Sequence, residues 1–222
     1  MGFKRSTEEA RPSNEVLTAR MVGIGMNFAA TAEPDAHIET TLVHASALGM
    51  DDGDFRVLSV LTTWLGIHHV HVNADRLIRL VVAHRSVRVR AYWSGIGRWL
   101  AKDRRFARLI AKQARVDLLP VGTDFQLKRK GEDERFAGST LRVPRETLRD
   151  RAQDVLPAEI LAKRHRGFRN RIVIGPTWRA DVWTILEKAP QLSPAEAARR
   201  ASCSFAAAWQ TTRDFRVLHP ST

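Results

Sequence analysis

Cysteine is almost absent from this chain. Cys203 is the one thiol in 222 residues, which excludes a disulfide framework and any zinc site built on paired thiolates. No apolar run approaches the roughly 20 residues that a membrane-spanning helix needs, so no membrane partner is expected. The N-terminus lacks the apolar stretch of a secretory signal, and a cytoplasmic protein is the expectation. Neither G-x-G-x-x-G nor G-K-[ST] occurs. That removes the Gly-rich phosphate cradles of dinucleotide and nucleoside-triphosphate enzymes, and no cofactor is expected. Carboxylates are scarce beside cations: 24 Asp and Glu against 36 Lys and Arg, a net charge of +12. Such a balance favours anionic partners, nucleic acid the commonest among them. Most of the cations are Arg, whose fork matches phosphate and guanine edges better than Lys does.

What is present is ordinary globular composition, 44% hydrophobic and 27% charged, enough for a buried core and one or two domains. The fold class expected is mainly α. Residues 1–35 read as a flexible tail and an irregular docking segment, with an apolar tract at 21–26 broken by Gly23 and Gly25. From 36 to 152 the periodicity predicts a helical domain. Ile38, Leu42, Ala45 and Leu48 mark one helical face. Asp51 and Asp52 offer N-cap chemistry to a helix over 54–65, Asn73 to one over 74–83, and Asp103 to one over 104–114. A further helix spans 87–100. Strand-like texture then follows at 116–121, 125–130 and 141–143, placing a β-hairpin near 116–143. Three helices and a hairpin is the order of a winged-helix domain; a helical bundle with a hairpin appended fits the same pattern. Helices are predicted over 145–152 and 157–164, then a basic run over 163–171, a short strand at 172–174, and a helix over 178–188.

The C-terminal stretch 193–215 carries the most information. Ser193 and Glu196 form a capping box, and Pro194 occupies the first helical position, where its missing N–H costs nothing. A helix over 194–201 ends at Ser202-Cys203-Ser204, and Ser204 can cap a second helix. Phe205, Ala208, Trp209, Thr212 and Phe215 fall on one stripe of it, and small Ala197, Ala198 and Ala201 permit close packing. With 178–188 these helices predict a three-helix domain over 165–218. The stretch resembles the helix-turn-helix of bacterial transcription regulators, in which the turn position held here by Ser202 is usually Gly. The general layout also resembles the helix-turn-helix antitoxins and regulators that accompany nucleotidyltransferase-type toxins. The resemblance implies a sequence-specific DNA-binding regulator, with double-stranded DNA as partner, autorepression of its own operon, a cognate toxin as protein partner, and a homodimer.

On that reading the second helix lies in the major groove. With the apolar stripe turned inward, Ala207, Gln210, Thr211 and Arg213 face the bases, Gln suiting adenine, Arg guanine and Ala a thymine methyl. Arg199, Arg200 and Ser204 hold phosphates at the helix ends. Arg164, Arg166, Arg169 and Arg171 add salt-dependent affinity, or form a solvated basic linker. A second basic surface is expected from Arg104, Arg105, Arg108, Lys112, Lys128, Arg129 and Lys130, serving a nucleic-acid backbone or an acidic protein. Two other functions stay open: a protein-interaction module that neutralises or scaffolds an acidic partner, and a metal-dependent nuclease. For the latter, Asp117 and Asp124 lie on strand-like segments, but the acidic-x-Lys partner is missing. His68, His69, His71 and Asp75 lack metal-site spacing, so no metal and no catalytic residue is assigned.

Overall fold

The computed structural model describes residues 11–112 and 114–219; of the tail expected over 1–35, residues 1–10 lie outside them. The described chain is mainly helical with a two-stranded parallel sheet. Helix α1 (Asn14–Gly23) starts where Ser13 accepts the Val16 N–H and buries Leu17 and Met21. The apolar tract at 21–26 continues this helix and then makes a single bridge from Met26 to Val155.

Helix α2 (Ile38–Met50) is buried at every residue, including the polar Thr40, Thr41, His44 and Ser46, and Glu39 is its one carboxylate. Helix α3 (Phe55–His68) packs along it. Its cap is Asp54, which accepts the Val57 N–H, rather than Asp51 or Asp52. The Trp64 indole N–H donates to the Ile24 carbonyl at 2.8 Å and ties α3 to the end of α1. Helices α4 (Ala74–Ala83) and α5 (Val87–Trp99), capped by Asn73 and Ser86, also lie on α2.

Beyond α5 the chain doubles back. The helix expected over 104–114 is a short 3-10 helix, Arg104–Leu109. Side chains three apart eclipse in that geometry, and Phe106 and Leu109 are its two buried residues. Strand β1 (Val116–Asp117), helix α6 (Thr123–Lys130) and strand β2 (Leu141–Arg142) follow. The strands pair in parallel, Val116 with Leu141 and Asp117 with Arg142. The expected hairpin, and with it a wing, is therefore absent among the described residues: 125–130 is helical. Gly122 (φ 78°) and Gly131 (φ 80°) bracket α6, and Asp124 at its start with Lys128, Arg129 and Lys130 at its end suit the helix dipole.

The helix expected over 145–152 is replaced by turns, with Glu146 at φ 68°, and a 3-10 helix, Ala152–Asp154. Helices α7 (Ala158–Arg164) and α8 (Arg166–Ile174) come next. The strand expected at 172–174 is the last turn of α8, where the Gly175 N–H donates to the Arg171 carbonyl at 3.0 Å. Helices α9 (Trp178–Lys188), α10 (Pro194–Ala201) and α11 (Phe205–Leu218) pack on one another. They share a core of their own: Val182, Leu186, Ala197, Ala198, Ala201, Ala208 and Phe215. The other buried apolar residues, Ala180 aside, form one larger core, to which α8, grouped by sequence with the C-terminal unit, contributes Phe168.

Candidate nucleic-acid interface

Local bonds set α10 and its turn. The Ser193 hydroxyl accepts the Glu196 N–H at 3.2 Å, with Pro194 at the first turn. At the other end Ser202 takes φ 54°, ψ 38°. Its N–H donates to the Arg199 carbonyl at 3.1 Å and the Cys203 N–H to the Ala198 carbonyl at 3.0 Å, the paired pattern of a Schellman ending. That explains why glycine is favoured here: a Cβ in the left-handed region costs roughly 1–2 kcal/mol. Ser204 then caps α11 by accepting the Ala207 N–H at 3.3 Å.

Helix α11 is rotated from the orientation its apolar stripe suggests. Its buried residues are Ala208, Thr211, Thr212 and Phe215, whereas Phe205 is 57% and Trp209 46% exposed. Small residues line the facing side of α10, and small residues of α11 meet them; the bulky Phe205 and Trp209 are left outside. Thr211 is 2% exposed and its hydroxyl donates to the Ala207 carbonyl at 2.8 Å, so it is removed from the base-facing set. Gln210, half-buried, donates to Asp214 at 3.1 Å. Arg213 is exposed, 3.6 Å from Asp214 and stacked over Trp209 at 5.4 Å. Asp214 also pairs with Arg179 at 3.1 Å. Arg199 and Arg200 both pair with Glu196, whose carboxyl their hydrogen bonds hold below the usual range.

Of the four arginines in the basic run, Arg164 is exposed, while Arg166 and Arg169 lie 4.0 and 3.7 Å from Glu187. Arg171 contradicts its expected role outright. It is 3% exposed, reaches both Glu39 oxygens at 2.6 and 2.9 Å, and donates to Asp181 at 2.8 Å. In α8 it lies three residues after Phe168, so both face inward. Asn73 completes the network, giving its side-chain N–H to Asp181 at 2.9 Å and its backbone N–H to Glu39 at 2.8 Å. Burial opposes ionisation of Asp181, but the charge and hydrogen bonds of Arg171 prevail and hold its carboxyl below the usual range.

Two arginines that sequence reasoning passed over, Arg76 and Arg79 of α4, donate to the Ala201 and Ser202 carbonyls at 3.1 and 3.2 Å. They cap the C-terminal end of α10 and brace the turn against the body of the protein. No local pattern marks them. Glu39 did carry a signal, since it is the one carboxylate in a helix without Lys or Arg, and such a group, once buried, needs a cation from elsewhere.

The histidines weighed as metal ligands have other work. His68 contacts the Leu156 carbonyl at 2.9 Å and His69 the Leu65 carbonyl at 3.1 Å. The His71 ring stands edge-on to Phe168, and Asp75 pairs with Arg108. Among the described residues no cluster of His, Cys, Asp and Glu is placed to hold a metal, and no helix is long and apolar enough to cross a membrane. No protein-family model, curated protein or solved structure matches the chain.

Proposed function

We propose that the chain binds double-stranded DNA through α10, its turn and α11, and acts as a sequence-specific transcriptional regulator. The turn carries this reading. Ser202 in the left-handed conformation sets α11 against α9 and α10, while the outer face of α11 stays uncovered from its capped start at Ser204. Ala207, Gln210 and Arg213 then serve the bases; Arg199, Arg200 and the N-terminus of α11 serve phosphates. The test is a titration of the duplex upstream of its own gene against random duplex, each at two salt concentrations. Preference that persists at the higher salt, and is lost in folded Gln210→Ala/Arg213→Ala, is the expected result. Equal binding to both duplexes that collapses with salt would remove the reading-helix role.

One observation favours a protein-interaction module instead. Phe205, Trp209, Val217 and Leu218 are all exposed on α11. Beside them Pro194, Trp209, Thr212, Arg213, Arg216 and Val217 line an open cavity of about 340 Å³. Exposed apolar side chains beside Arg213 and Arg216 suit an acidic partner with apolar anchors, such as the toxin that the resemblance implies. A stoichiometric complex abolished by Trp209→Ala, together with no DNA shift at physiological salt, would favour it.

A further inference from the structure

The C-terminal unit is poorly charged for a DNA-binding domain. Residues 177–219 hold six Lys and Arg against four Asp and Glu. Five of those cations sit on carboxylates: Arg199 and Arg200 on Glu196, Arg179 and Arg213 on Asp214, and Lys188 on Asp35. The excess charge lies elsewhere. Residues 98–115 hold seven Lys and Arg against one Asp, a net +6 and half of the chain's +12. The one carboxylate, Asp103, is engaged by Arg105, and Arg108 pairs with Asp75 at 3.4 Å. Arg98, Lys102, Arg104, Lys112 and Arg115 are all exposed, and among the described residues none of their side chains has an ion pair or hydrogen bond.

These cations ride on a strap with a defined course. After α5 the chain folds back so closely that a Cβ on Gly97 would lie 2.9 Å from the Leu109 Cβ. The Ser94 hydroxyl accepts the Ala111 N–H at 3.1 Å, and Phe106 and Leu109 are sunk in the main core. Arg105 fastens the strap to the Val70 and Val72 carbonyls, and Arg108 to Asp75 in the first turn of α4. From Asp75 to Arg79, which holds the Ser202 carbonyl, is four residues, about 6 Å of helix. Helix α4 thus connects the strap directly to the turn that starts α11.

We propose that Arg98, Lys102, Arg104, Lys112 and Arg115 bind nucleic-acid phosphates and supply most of the electrostatic affinity for a duplex engaged by α11; this rests on the DNA-binding role proposed for α11. The surface offers separated, unpaired cations, which suit a phosphate backbone. Ile110 is its one large exposed apolar residue, whereas the core of a protein interface is built on several apolar anchors.

The experiment compares the full chain with a variant carrying Arg98→Gln, Lys102→Gln, Arg104→Gln, Lys112→Gln and Arg115→Gln. The upstream and random duplexes are titrated over a series of salt concentrations, with circular dichroism confirming the fold. Each phosphate that is no longer neutralised lowers the slope of log K against log salt by about 0.9. The expected result is a slope smaller by roughly 4 to 5 on both duplexes, with the preference between them unchanged. An unchanged slope overturns the proposal. So does displacement of DNA from the full chain by polyglutamate at equal charge concentration, which would assign the strap to acidic proteins. Arg213→Ala, run in parallel, separates the two claims. A reduced slope in the strap variant with preference untouched by Arg213→Ala upholds the strap and removes α11 as reader. Preference abolished by Arg213→Ala with the strap slope unchanged does the reverse.

Discussion

Arg171→Met is the perturbation with the clearest consequence. The guanidinium spans Glu39, fully buried, and Asp181, nearly so, with three hydrogen bonds between 2.6 and 2.9 Å. Methionine fills similar space but takes the two-pronged partner from Glu39 and the nearer cation from Asp181. Breaking a buried pair from one side costs about 3–5 kcal/mol, far more than the pair is worth against an apolar replacement. For a chain of this length each kcal/mol moves Tm by roughly 2–4 °C, so a fall of roughly 6–20 °C is expected at pH 7. Without Arg171 the burial that opposes ionisation of Asp181 prevails, so the deficit shrinks as pH falls toward 5 and grows toward pH 8. The full chain behaves oppositely. Asp181 is held below its usual value, so its contribution is present above about pH 4 and is lost as pH falls below that. Arg171→Met/Glu39→Leu should recover much of the loss, because Asp181 keeps Asn73 at 2.9 Å and Arg76 at 4.0 Å. Calorimetry across pH 5–8 decides it. A loss under about 1 kcal/mol at pH 7, or one that does not vary with pH, would refute the buried-network account.

Three further outcomes follow from single features. Ser202→Gly removes a Cβ from a left-handed site and should raise stability by about 0.5–1 kcal/mol in denaturant unfolding, whereas Ser202→Val should lower it. Gly97→Ala places a methyl 2.9 Å from Leu109 and 3.0 Å from the Phe106 carbonyl; it should cost about 1–3 kcal/mol and speed amide exchange across 104–111. Trp209→Ser should change stability by no more than about 0.5 kcal/mol despite the loss of an indole, because that side chain lies outside the C-terminal core; a larger loss would show that the outward face of α11 is misassigned.

Parts of this fold were readable because the bonds that make them are local. A cap joins residues two or three apart, and Asn73, Asp103, Ser193 and Ser204 each act where the sequence predicts. The turn at Ser202-Cys203-Ser204 was readable for the same reason, though its left-handed conformation comes from the structure. Period alone did not settle α6, where Phe125 and Leu127 alternate like a strand, yet two glycines and a favourable end-charge pattern make a helix. The rotation of α11 was less legible, since Phe205 and Trp209 complete as good a stripe as Thr211 does. What decides between them is the packing on α9 and α10, whose core with Ala197, Ala198 and Ala201 takes in Ala208 and Phe215 and leaves Phe205 and Trp209 exposed.

Charge was the least legible property, because a net value has no address. Four arginines in the run 163–171 look alike in sequence, yet Arg171 lies under Glu39, 132 residues away, and Arg166 and Arg169 sit beside Glu187. The strap looks no more basic than that run, but α4 and α5, the helices packed against it, offer it only Asp75. An ion pair between exposed groups contributes little to stability, so pairing there does not hold the fold together; it decides which cations remain free for an outside anion. Counting cations therefore directs attention to 163–171, and counting unpaired cations directs it to 98–115. The phosphate-binding role rests on the second count, which only the folded chain provides.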